Sequence, residues 1–151
     1  MRKFTSIKPV EDFEVLTDSG YRPIQSSNLT VPYQVWRLET DNYSLECADD
    51  HIVFNSLGEE VFVKNLIVGD LIQTETGLDH VTSVEALGLE EPMYDLTLPE
   101  GTDHRYYTNG ILSHNTTVLL ELLYKVHQSN PNKKVLFISA EMNQLDMARY
   151  L

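Results

Sequence analysis

Between about residues 14 and 110, apolar and polar positions alternate in short bursts broken by turn residues, the pattern of half-buried strands and not of helices. Glu14-Val15-Leu16-Thr17 stops at the turn tripeptide Asp18-Ser19-Gly20. Further strands are predicted over 33–40, 43–47 and 51–55, the first two closing a hairpin around Asp41-Asn42. Others follow at 60–63, 70–75, 79–86, 93–98 and 105–108. Strands this short and closely spaced, with no long helical period between them, predict an all-β domain. No repeat of fixed period and no low-complexity tract interrupts the series, which excludes a solenoid.

Beyond Asn115 the periodicity changes. Val118, Leu119, Leu122, Leu123 and Val126 recur at helical spacing across 116–128, and Ser129-Asn130-Pro131-Asn132 stops them. Val135-Leu136-Phe137-Ile138-Ser139 is a continuous run of the kind buried in a parallel sheet, and 144–151 begins another helix. The chain is therefore expected to divide into an all-β domain at 1–115 and a short α/β fragment at 116–151.

Composition narrows the partners. With 42% hydrophobic and 23% charged residues, the chain can bury a core and is not a disordered tail. A net charge of -12 repels phosphate backbones, and no basic stripe overrides it, so no direct nucleic-acid binding is expected. Cys47 is the single cysteine, which excludes an internal disulfide and a multi-cysteine zinc site and suits a reducing compartment. No apolar run is long enough to span a bilayer, and the opening Met-Arg-Lys-Phe-Thr-Ser lacks the apolar core of a secretory signal. The expected location is cytoplasmic, with no membrane partner and no bound metal.

The stretch Tyr106-Tyr107-Thr108-Asn109-Gly110-Ile111-Leu112-Ser113-His114-Asn115-Thr116 closely resembles the C-terminal splice junction of inteins: an apolar run, then His-Asn, then a hydroxyl or thiol residue. Upstream, Met93-Tyr94-Asp95-Leu96-Thr97-Leu98 followed by His104-Arg105-Tyr106-Tyr107 resembles the block that precedes that junction. Residues 45–54, centred on Ala48-Asp49-Asp50-His51, resemble the block holding the histidine of the N-terminal junction. Ile67-Val68-Gly69-Asp70-Leu71-Ile72 is similar to the Val-Gly-Asp lead-in common in Hint domains, and 15–24 to the opening block. The blocks occur in family order and cover about 14–116. The resemblance implies the Hint (hedgehog/intein) fold, a flat pseudo-symmetric β-domain. The interval between the histidine block and Met93 leaves no room for a homing endonuclease, which implies a mini-intein.

The activity implied is autocatalytic, single-turnover protein splicing or C-terminal cleavage, with no cofactor. Asn115 would attack its own backbone carbonyl through its side-chain nitrogen, forming a succinimide and breaking the bond to Thr116. His114 and His104 would supply the acid and base, for which a near-neutral imidazole is suited. By the same resemblance His51 would polarise or protonate the N-terminal scissile bond and Asp95 would tune proton transfer. Thr116 would accept the migrating N-terminal segment as an ester. Taken singly, these residues have plainer readings: a His-Asn dipeptide is commonly a surface turn, His51 a satisfied core histidine, Asp95 a turn cap and His104 a loop residue. The order of the blocks favours the chemistry. Cys47 is expected to pack as a small apolar residue and Trp36 to join the core, while His80 and His127 carry no motif.

Two departures from the family pattern stand out. Ala48 occupies the place where the family usually has threonine, and no cysteine precedes the strand at 14–17. Ser6 is the nearest substitute nucleophile, followed by Thr5. The alternatives are a nucleophile lying upstream of Met1, one carried by a complementary N-terminal split-intein fragment, or a variant that dispenses with it, although 93–98 lacks the cysteine such variants use. The partners implied are the flanking extein segments and that complementary fragment.

From Thr116 the chain resembles the piece of a RecA-like or DnaB-like P-loop ATPase that follows the phosphate-binding Gly-Lys. Thr116 would be the magnesium-ligating hydroxyl, Thr117 the next helix residue, and Glu141 the glutamate that activates water. The implied host is a DNA helicase or recombinase in preference to other P-loop ATPases, with ATP and magnesium as cofactors of the intact host only. Two rival readings are a helicase fragment carrying an inert β-domain insertion and a protein-interaction β-domain, the latter with no binding motif behind it.

Overall fold

A computed structural model describes residues 2–114, and within them the chain forms eleven strands and one 3-10 turn at Val63–Asn65. In chain order they are β1 (Phe4–Pro9), β2 (Glu14–Thr17), β3 (Gly20–Pro23), β4 (Ser26–Thr40), β5 (Ser44–Ala48) and β6 (Ile52–Phe54). They continue as β7 (Glu60–Phe62), β8 (Leu71–Thr74), β9 (Gly77–Thr97), β10 (Arg105–Thr108) and β11 (Ile111–His114). The all-β expectation is met there. Asn115, Thr116, Thr117, His127, Glu141 and the elements expected at 116–128, 135–139 and 144–151 lie outside the described residues.

One sheet runs β1-β4-β9-β8-β11-β6-β7, with β5 added on β4 and β10 on β11, while β2 and β3 form a separate hairpin. Two long antiparallel strands, β4 and β9, are its spine, paired from Ser26↔Thr97 at one end to Thr40↔Val81 at the other. The two strands expected at 79–86 and 93–98 are thus one. Their middle, 85–92, is almost wholly exposed, so no alternation toward a core marks it. Pro32 and Pro92 face each other beside a register shift, a place where a missing N–H is tolerated.

The apolar positions of β4, β5, β6, β8, β9 and β11 meet in one cluster, with Leu38, Leu45, Val53, Ile72, Val81 and Ile111 at its centre. Cys47 is buried in it, and Trp36 packs against its edge, as expected of both. The Asp41-Asn42 turn is clamped from β9: buried Asp79 accepts from the Thr40 hydroxyl at 2.9 Å, the Asn42 amide N–H at 3.0 Å and the Asn42 side chain at 2.9 Å.

The Asn109-Gly110 turn joins β10 to β11 with φ of 46° and 81°, the left-handed pair of a two-residue hairpin. Glycine is required at 110 twice over, because a Cβ there would lie 2.2 Å from the Tyr43 ring. The residues ahead of Asn115 thereby become a strand, with β10, β8 and β6 as neighbours of β11. The pattern of polar and apolar positions did not predict that strand.

Candidate functional site

Side chains alternate sides along a strand, and this sorts the residues around β11 into two groups. Ser113 lies opposite Tyr106 on β10 and Val53 on β6, so these three share one face. His114 lies opposite Arg105 and Ile52 on the other face. Each face carries a polar assembly.

On the Ser113 face, His51 precedes β6 and sets its Nε2 2.9 Å from the Ser113 hydroxyl, joining residues 62 apart in sequence. Ser113 is buried, and its hydroxyl also donates to the Ile111 carbonyl at 3.3 Å. Its strand partner Tyr106 donates from its hydroxyl to Asp95 Oδ1 at 2.9 Å and accepts from the Leu96 amide N–H at 3.3 Å. Asp95 is 2% exposed, so its carboxyl sits inside the protein among hydrogen-bonding groups, as a buried polar side chain requires. In register it adjoins Asn28, whose side-chain nitrogen donates to Thr97 Oγ1 at 2.8 Å and whose oxygen accepts from Ser26 Oγ at 3.0 Å. The segments that hold His51 and Asp95 are thus brought to adjacent positions, Ser113 and Tyr106, on neighbouring strands.

On the other face, His114 is half-buried over the Phe54 ring, with centroids 5.9 Å apart and planes at 46°. Its Nδ1 contacts the carboxylate of Glu60 on β7. Arg105 lays its guanidinium over the same Phe54 ring at 5.5 Å and bridges to Asp18 at 2.8 Å, which ties the β2–β3 turn to β10.

His104 stands in the loop between β9 and β10 with φ of 54°, a left-handed conformation uncommon for a residue bearing a Cβ. Burial and the charge of His114 hold its imidazole below the ordinary pKa, against the opposing pull of Asp103 and Glu100. His104 is therefore biased toward the neutral form, and it lies close enough to His114 for the two charges to interact.

Ser6 lies elsewhere in the sheet, on β1 opposite Leu29, which pairs in turn with Tyr94. That places it two strand spacings, roughly 10 Å, from the β9 backbone beside Asp95. Among the described residues, no group of three or more His, Cys, Asp or Glu could hold a metal ion. The structure adds Glu60, Phe54, Arg105, Tyr106 and Ser113 to the residues read from the motifs. Phe54, Arg105, Tyr106 and Ser113 lay inside motifs without a role, and nothing in the sequence marks Glu60, because its relation to His114 exists only through the register across β6.

Solved structures share this architecture. The VidaL intein (selenomethionine variant) is 32% identical over 67% of this chain and 68% of its own, with a TM-score of 0.63. A consensus engineered intein (Cat) with an atypical split site is 26% identical over 76% of this chain and 87% of its own, at a TM-score of 0.55. A DnaB intein from Synechocystis sp. PCC 6803 shares the fold at 19% identity and a TM-score of 0.61, over 71% of this chain and 81% of its own. No protein-family profile matches the chain, and no curated protein sequence matches it.

Proposed function

The chain belongs to the intein family, whose Hint-like fold it carries as a protein-splicing domain, and from that premise we propose that its reaction is cyclisation of Asn115 with cleavage before Thr116. The observation that carries this reading is the convergence on β11 of histidines from three separate blocks. His51 touches Ser113, His114 ends the strand, and His104 interacts with His114. A neutral His104 is suited to take a proton from the Asn115 amide as it attacks, and His114 to give one to the departing Thr116 nitrogen. One imidazole cannot hold both protonation states at once, so two are needed. Given an upstream segment, Thr116 first receives it as an ester, and the two flanking segments are then joined.

The location of Ser6 inside a paired strand favours a first nucleophile supplied by a complementary N-terminal segment, in keeping with the likeness to an intein with an atypical split site. We place the domain boundary at 115/116. We assign the following residues to a P-loop ATPase host of helicase or recombinase type, on the strength of Thr116-Thr117, the apolar run at 135–139 and Glu141. ATP and magnesium belong to that host after splicing and not to this domain.

The test is intact mass after incubation of the purified chain at neutral pH. A fragment beginning at Thr116 is expected, and Asn115→Ala is expected to abolish it. Equal release from Asn115→Ala would reject cyclisation, and a chain that stays whole would favour an inert insertion. Hydroxylamine trapping of an ester at Ser6 in the same samples would return the first nucleophile to this chain.

A further inference from the structure

Glu60 belongs to none of the motif blocks, yet its carboxylate is in contact with the imidazole of His114. The contact follows from register. On β6, Ile52 faces His114 and Phe54 faces Glu60, so both side chains stand on the same side of β6 as the Phe54 ring and meet beside it. His114 is 12% exposed and Glu60 25%, so this contact is sheltered from water on both sides. Among the described residues, Arg105 on β10 and the titratable His104 in the preceding loop also stand near the imidazole, and Arg105 is engaged by Asp18 and Asp103 at 2.8 and 3.4 Å.

We propose that Glu60 is a positioning residue for cleavage at Asn115, holding His114 with its proton on Nδ1 so that Nε2 is the nitrogen that exchanges a proton with the junction. This rests on the function proposed above. An ionised carboxylate only accepts hydrogen bonds, so the nitrogen facing it must carry hydrogen. The same division of labour, a carboxylate fixing one ring nitrogen while the other does the work, orients the histidine of serine proteases. When the side-chain nitrogen of Asn115 has bonded to its own carbonyl carbon and given its proton to His104, the bond from that carbon to the Thr116 nitrogen breaks. The Thr116 nitrogen takes the proton from Nε2 of His114. His114 is left neutral, with Nδ1–H still donating to Glu60.

The test pairs spectroscopy with kinetics. Nitrogen-15 imidazole spectra of the full chain carrying Asn115→Ala, recorded where His114 is neutral, are expected to show the proton on Nδ1. Adding Glu60→Ala is expected to move it largely to Nε2, and Glu60→Gln, which keeps an acceptor oxygen in place, to retain it in part. In the cleaving chain, Glu60→Ala is expected to slow release of the Thr116 fragment roughly tenfold or more, short of the loss from removing the imidazole itself, with Glu60→Gln recovering part of the rate. Should Glu60→Ala fail to fold, Glu60→Gln against the parent decides both measurements. An unchanged tautomer overturns the role while leaving the cyclisation reading standing, and so does an unchanged rate, even where the tautomer moves. A parent chain that releases no fragment removes both.

Discussion

His104 shows how much one residue's surroundings can settle. A left-handed backbone at a non-glycine residue costs conformational energy and persists only where neighbours hold it, and such residues gather at functional sites. Its titration is lowered first by burial and then by the charge of His114. A lowered folded value means that the unfolded chain takes up the proton first. The contribution of neutral His104 to stability is therefore present above the free value of 6.5 and is lost as pH falls through the folded value. We expect an NMR titration of His104, in the chain carrying Asn115→Ala, to have its midpoint below 6.5, and His114→Gln to move that midpoint upward. A midpoint at or above 6.5, or one indifferent to His114, would remove the coupling. His104, His114, His51 and Asp95 could be named from the sequence because their blocks fall in a fixed order. Glu60 could not, because an acidic residue opening a short strand looks like any solvated position until β7 is placed beside β6, and Phe54, though it closes the 45–54 block, carried no role there.

Among the elements, one hairpin was legible, while the return strands of the hairpins at 18–20 and 109–110 and the long pairings were not. Asp41-Asn42 between two alternating segments predicts the β4–β5 hairpin, and the structure has it. By contrast, the pairing of β1 with the first half of β4, and the exposed middle of β9, leave little trace in the pattern. Strands at an edge or on a solvated arm need hydrogen-bond partners but no apolar face. The β4–β5 turn also depends on a residue far along the chain. Burial pushes the Asp79 carboxyl up, but the Asn42 side chain, the Thr40 hydroxyl and the Asn42 amide, with a smaller part from His80, hold it below the ordinary 3.8. The sign is that of a depressed carboxylate: its contribution is present above about pH 4 and is lost as pH falls through the folded value. Asp79→Ala leaves the Thr40 hydroxyl and Asn42 amide without their acceptor and is expected to cost about 1–3 kcal/mol at pH 7 in urea unfolding. The difference from the parent should shrink below about pH 4. A difference that is constant from pH 7 to 3 would mean that Asp79 acts by packing and not by charge.

For the whole molecule, the decisive property is that the strands leading up to Asn115 gather side chains from segments with no local relation. His51 comes from ahead of β6 to Ser113 and Glu60 from β7 to His114, on the two faces of β11, while Asp95 from the far end of β9 reaches Tyr106 on the neighbouring β10 and His104 stands in the loop between β9 and β10. An unfolded chain retains Asn115 and its neighbours in sequence but loses every one of those approaches. Orientation of this kind supplies much of the advantage of an intramolecular catalyst, so cleavage should be a property of the folded state alone. Gly110 offers a way to test this without touching any group assigned to the chemistry, since a methyl group at 110 meets the Tyr43 ring and the residue needs a φ of 81°. Gly110→Ala is expected to destabilise the domain by roughly 2–4 kcal/mol, a strained backbone and a steric clash acting together. In a urea series, the rate of Thr116 fragment release should fall with the same midpoint as the Trp36 fluorescence that reports unfolding. In Gly110→Ala both midpoints should move down together. Release that continues past the unfolding midpoint would show that Asn115 cyclises by local sequence chemistry and that the convergence on β11 is not what drives it.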